Sequence, residues 1–153
     1  MATIRCYDIY GDSVPVAPEA LTFRPAVYGI FLNNNHILLM RHPKTDLLYP
    51  PGEILTPSQT PTQAIRHTFR RLLGTTPLLG PLLYVEDRYY LDESRTAWHL
   101  SQLYYALDRP TTMAALPQQA DSDVDWIPLK ELTREQLWFG YEAIKAGRLR
   151  LDL

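Results

Sequence analysis

The sequence predicts an α/β domain whose sheet lies between helices, and two observations carry that expectation. Residues 26–32 and 36–41 are apolar almost without interruption, as strands covered on both faces are, whereas a strand with one wet face alternates. Residues 60–74 have the start, stripe and stop of an amphipathic helix. With 153 residues the chain suffices for one core that buries about two-thirds of the surface its unfolded form exposes, and it reads as a single domain over 1–153. Hydrophobic residues make up 46% and charged residues 21% of the chain, with a net charge of −2. That composition is ordinary for a globular domain and offers no general attraction to nucleic acid or to an anionic membrane. Cys6 is the single cysteine, so no internal disulfide forms. No apolar run approaches a signal core or a membrane span, and a reducing, cytoplasmic setting is expected.

Residues 4–10 alternate as a short strand, and Gly11-Asp12-Ser13 turns the chain into residues 14–19, an edge strand or arm interrupted by Pro15 and Pro18; residues 1–24 form this N-terminal strand and arm. The strand at 26–32 reverses at Asn33-Asn34-Asn35, residues that tolerate positive φ at a hairpin turn, and returns over 36–41. Residues 47–49 deliver the chain into the loop Pro50-Pro51-Gly52-Glu53.

The helix follows. Thr60 is its N-cap, Pro61 occupies the first turn where no N–H is needed, and Gln63 closes a capping box. Ala64, Ile65, Thr68, Phe69, Leu72 and Leu73 recur at three- and four-residue spacing, and Gly74 stops the helix. Arg66, His67, Arg70 and Arg71 fill the polar side. Residues 75–81 are a turn-rich connection to two aromatic-rich strands, 82–90 and 97–107, joined at Asp92-Glu93-Ser94. Residues 108–123 read as a surface loop, 123–128 as the last strand, and 137–146 as a closing helix ended by Gly147.

Residues 50–75 resemble the signature box of the Nudix hydrolases, G-x5-E-x7-R-E-U-x-E-E-x-G-U with U bulky and apolar. Pro51-Gly52 before the box, Thr60-Pro61 at the helix start and Gly74 at its end keep the family's spacing without a gap. A second, looser likeness is Asp123 to Leu132, with the acid two before an aromatic followed by Ile127-Pro128-Leu129. The resemblance spans 25–147 and implies the Nudix fold, an α/β/α sandwich with a mixed β-sheet. It also implies descent from pyrophosphohydrolases that hold divalent metal against a pyrophosphate through the helix glutamates.

Those glutamates are replaced. The box positions fall on Glu53, Gln59, His67, Thr68, Phe69, Arg71, Leu72, Gly74 and Thr75, of which Phe69 and Gly74 alone keep the family type. Mg²⁺ asks for carboxylate oxygens, and Arg71 sets a fixed positive charge where the cation would sit. At about 4 Å and an effective dielectric near 20, exchanging attraction for repulsion costs several kcal/mol. No metal is expected at the family positions and no cofactor is required.

Three functions stay open at this stage. In the first, Arg71, His67, Thr68, Gln59 and Arg41 bind a nucleoside-diphosphate-linked ligand without turnover. In the second, Glu53 and Glu86 form a relocated Mg²⁺ or Mn²⁺ site that keeps hydrolysis. In the third, the chain is a protein- or RNA-interaction module with Arg66 and Arg70 on its surface. A homodimer is left open. His36, His42 and His99 show no metal-ligand spacing, and neither a serine nor Cys6 stands in a nucleophile motif.

Overall fold

The computed structural model describes residues 2–110 and 123–153. Most of the expected loop at 108–123 therefore lies outside the described residues. The strands are β1 (Ile4–Tyr7), β2 (Ser13–Val16), β3 (Thr22–Asn33), β4 (His36–Arg41), β5 (Leu48–Tyr49), β6 (Gly52–Ile54), β7 (Leu78–Leu91), β8 (Ala97–Asp108) and β9 (Val124–Pro128). The helices are α1 (Pro61–Leu73) and α2 (Tyr141–Arg150). The sheet runs β2-β1-β7-β8-β3-β4-β5, with β6 added to β3 and β9 to β4. It is mixed: β3 and β8 are parallel, while β7–β8, β3–β4, β3–β6 and β4–β9 are antiparallel.

Two cores lie on opposite faces. Beneath α1 pack Val27, Phe31, Leu38, Leu55, Leu107 and Val124, together with the helix's own apolar stripe. Beneath α2 pack Ala26, Tyr28, Ile30, Ile37, Leu39 and Tyr104. The even–odd alternation of β3 thus divides its buried residues between the layers, which is why the strand is apolar throughout and why the α/β/α sandwich was readable from it.

The helix α1 begins and ends as expected. Gln63 N donates to Thr60 Oγ1 at 3.2 Å and Thr60 N donates to Gln63 Oε1 at 2.9 Å, both halves of the capping box, and Gly74 closes in the left-handed region at φ 69°. Thr60→Ala removes one half of the box. It is expected to cost about 1 kcal/mol, read as a fall of a few degrees in the thermal midpoint. Asn34 and Asn35, at φ 52° and 58°, make the turn between β3 and β4 that two consecutive positive-φ residues permit.

Three expectations need correction. The segment at 52–54 is a strand, β6, whose three residues are too few to show alternation. β7 starts at Leu78 rather than 82, carrying Pro81 inside it and shifting register between Leu79 and Leu82 and again between Leu82 and Tyr84. The last helix starts at Tyr141 rather than 137, after Gly140 at φ 100°, and continues through Gly147 to Arg150. Leu137 makes an isolated parallel bridge with Leu48, and Trp138 N donates to Leu48 O at 2.8 Å. The extended stretch before α2 is thereby stitched to β5. Gly147 is a contact residue and not a terminator: a Cβ there would stand 2.8 Å from Ile30 Cγ2. No helix among the described residues is long and apolar enough to cross a membrane.

Candidate functional site

The first cluster is built by β6 and α1. Pairing of β6 with β3 sets Glu53 beside Val27 on the α1 face, and the helix brings His67 to it. His67 Nδ1 lies 3.2 and 3.3 Å from the two Glu53 oxygens, with the imidazole 64% and the carboxylate 27% exposed. Arg71 is one turn further on the same exposed side. Gln63, Arg66, His67, Arg70 and Arg71 line one shallow basic depression, and Arg70 donates to Thr76 Oγ1 at 3.3 Å.

The remaining sequence candidates do not join them. Thr68 is buried at 2% exposure among Ile65, Phe69 and Leu72, so its hydroxyl faces the core rather than the His67–Arg71 flank. Gln59 accepts from Thr56 N at 3.0 Å and braces the loop before the helix. Arg41 pairs with Asp125 at 3.8 Å and donates to Asp46 O at 3.3 Å. It continues the Ile37 and Leu39 side of β4, which belongs to the α2 core.

Glu86 is also on the wrong side for the relocated metal pair. Register carries Glu86 across to Gln102 and Ala26, whereas Glu53 shares a row with Val27, Leu103 and Val85. Paired residues in a sheet point the same way, so Glu53 and Glu86 project from opposite faces and cannot share one ion. Among the described residues no group of three or more His, Cys, Asp or Glu side chains is placed to hold a metal. The box positions do not fit Mg²⁺ either, because Thr68 and Leu72 are core residues and Arg71 is a cation.

The α2 face holds a second cluster that the sequence reading did not assemble. Arg88 lies under a roof of rings, its guanidinium carbon 4.3 Å from the Phe139 centroid, 4.7 Å from Tyr90 and 4.8 Å from Trp138. Trp138 in turn meets Tyr49, Phe139, Tyr90 and His42 at 5.2–5.5 Å. Below, Tyr104 donates to Glu86 at 2.6 Å, and burial together with that bond pushes the Tyr104 phenol far up. Arg88 Nε and Gln102 Nε2 are buried donors that find no acceptor among the described residues. Arg88 and Trp138 also wall two adjoining clefts, one closed by Tyr7 to Gly11 and the other by Phe139 to Glu142.

Tyr49 belongs to this second cluster, its ring in contact with Trp138 and Phe139. Burial raises its phenol, Tyr28, Asp123 and Tyr90 add to the rise, and the Arg71 charge opposes it. Strand alternation alone puts Glu86, Arg88 and Tyr90 on one face, a signal present in the sequence. That Trp138 and Phe139 come to cover them depends on where α2 begins.

Neither a family model nor a curated protein matches the sequence. Solved structures do match the fold. A MutT protein from Methanosarcina mazei aligns with TM-score 0.62 at 14% identity, covering 86% of this chain and 96% of that one. A MutT Nudix hydrolase from Burkholderia pseudomallei aligns with TM-score 0.57 at 18% identity over 74% and 88%. A bifunctional NMN adenylyltransferase/ADP ribose pyrophosphatase from Francisella tularensis aligns with TM-score 0.53 at 21% identity over 86% of this chain and 42% of that chain. The chain has the fold of the Nudix hydrolases.

Proposed function

We propose that the chain binds a nucleoside-diphosphate-linked ligand without metal-dependent turnover. The observation that supports this most is Arg71, which stands where the box has a metal-binding glutamate, one turn from His67 on the same exposed flank of α1. Imidazolium and guanidinium groups bind a diphosphate directly through charge-assisted hydrogen bonds, each contributing about 1.5–3 kcal/mol. Glu53 answers one nitrogen of His67, so a diphosphate competes with Glu53 for the imidazole.

ADP-ribose is the first ligand to titrate, since one structural neighbour carries ADP ribose pyrophosphatase in its name. Calorimetry in chelator and in Mg²⁺ is expected to give the same affinity. Arg71→Glu is expected to weaken binding about thirtyfold or more, the equivalent of roughly 2 kcal/mol. Unchanged affinity in that variant sinks the reading. So does release of AMP that requires Mg²⁺ or Mn²⁺, or specific Mn²⁺ binding that is lost in Glu53→Gln, either of which restores a hydrolase.

A further inference from the structure

The first half of β7 is an exposed apolar strand with a vacant edge. Among the described residues, β1 meets β7 at the single pair Tyr7↔Tyr90, so the backbone from Leu78 towards Glu86 is paired on its β8 side alone. Leu78, Leu79, Leu82, Tyr84 and Val85 are each 37–54% exposed. No charged residue occurs from Leu78 to Val85. Helix α1 packs on β3 and β6, and the Leu82 and Val85 side chains are left about half exposed beside Tyr105 and Leu103. A long, apolar, uncharged edge is the arrangement that monomeric proteins guard against. Here the guard is partial. Pro81 removes one N–H and the register shifts bend the strand around it, but both lie before Tyr84, and from Tyr84 to Glu86 the pairing with β8 is regular.

We propose that this edge pairs with the same edge of a second copy, joining the two sheets antiparallel through β7. Charge distribution suits a copy of this chain as the partner. For any two-fold axis falling between Leu82 and Val85, Glu86 stands opposite a partner residue between 78 and 84, all of them uncharged. Acid therefore never meets acid, and the Leu82, Tyr84 and Val85 side chains of the two copies cover each other. Apolar and aromatic cross-strand pairs of that kind are the stabilising unit of a sheet, and a self-complementary patch is what a two-fold contact requires.

Sedimentation velocity from micromolar to hundreds of micromolar protein tests the assignment. The expected result is a species of twice the 17.6 kDa chain mass. Val85→Lys and Leu82→Lys, each with an unchanged far-ultraviolet spectrum, are expected to raise its dissociation constant at least tenfold by setting a charge in the contact. Amide exchange is expected to slow as protein concentration rises at those residues from Leu82 to Glu86 whose N–H groups face away from β8, alternate positions along the strand. A wild-type chain that stays monomeric throughout overturns the proposal. A dimer that both lysine variants leave intact, or whose formation leaves those amides unprotected, overturns it equally.

Discussion

Phe69→Ala is expected to lower stability by about 3–5 kcal/mol, the usual cost of removing a buried phenylalanine ring, and to drop the thermal midpoint by about 10 °C or more. The ring has no solvent exposure, and it joins the helix to the sheet at two points. It meets Phe31 edge to face at 6.0 Å, and it fills the space over Gly29, where a Cβ would come within 2.7 Å of Phe69 Cε2. The flat spot left by Gly29 and the bulk of Phe69 are a complementary pair, so a small residue at 69 leaves a cavity that neither strand nor helix can close. Urea unfolding followed by tryptophan fluorescence measures the loss. A change under about 1 kcal/mol would mean that α1 is not docked through this ring.

Gly52→Ala is expected to cost about 3 kcal/mol, at the upper end of overpacking, and roughly 6–12 °C in the thermal midpoint. The added methyl would stand 2.0 Å from Val27 O and 2.7 Å from Tyr28 Cα. Both are backbone atoms of the central strand and cannot swing aside, so β6 has to lift away from β3. Glu53 is the next residue, and its contact with His67 depends on that pairing. The variant is therefore expected to shift the His67 ring resonances as well as the melting curve. Melting that changes while those resonances stay in place would separate the position of Glu53 from the pairing of β6.

Local chemistry explains what could be read in advance. The capping box, Gly74 and the paired asparagines act through neighbours a few residues away, so the sequence contains the whole interaction. The uninterrupted apolar runs of β3 and β4 report burial on two faces, which fixed the sandwich. Thr68 belonged both to the apolar stripe and to the candidate ligand set. Helical geometry resolves the conflict, because three of its four neighbours at three and four residues, Ala64, Ile65 and Leu72, are buried and Arg71 alone is exposed. The misplacement of α2 has a different origin: Leu137, Trp138 and Phe139 have a helix-compatible apolar pattern, but they are spent on Tyr49, Tyr28 and Arg88, contacts between segments far apart in the chain. The Arg88 cluster was unreadable for the same reason, and the separation of Glu53 from Glu86 needed the β3–β6 register, which three residues of β6 do not announce.

The parallel pairing of β3 with β8 bears on how the molecule is made. It matches Thr22 with Trp98 through to Phe31 with Leu107, and everything between those strands, including α1 and β7, must be made before the central ladder can close. Hairpins and the capped helix form locally and quickly, whereas a ladder between distant segments bears the full cost of closing the intervening chain. Assembly of the Arg88 cluster thus waits on that long-range closure. During that wait the uncharged edge of β7 has no fixed sheet behind it, and crowding of nascent chains would act on it before any native partner could.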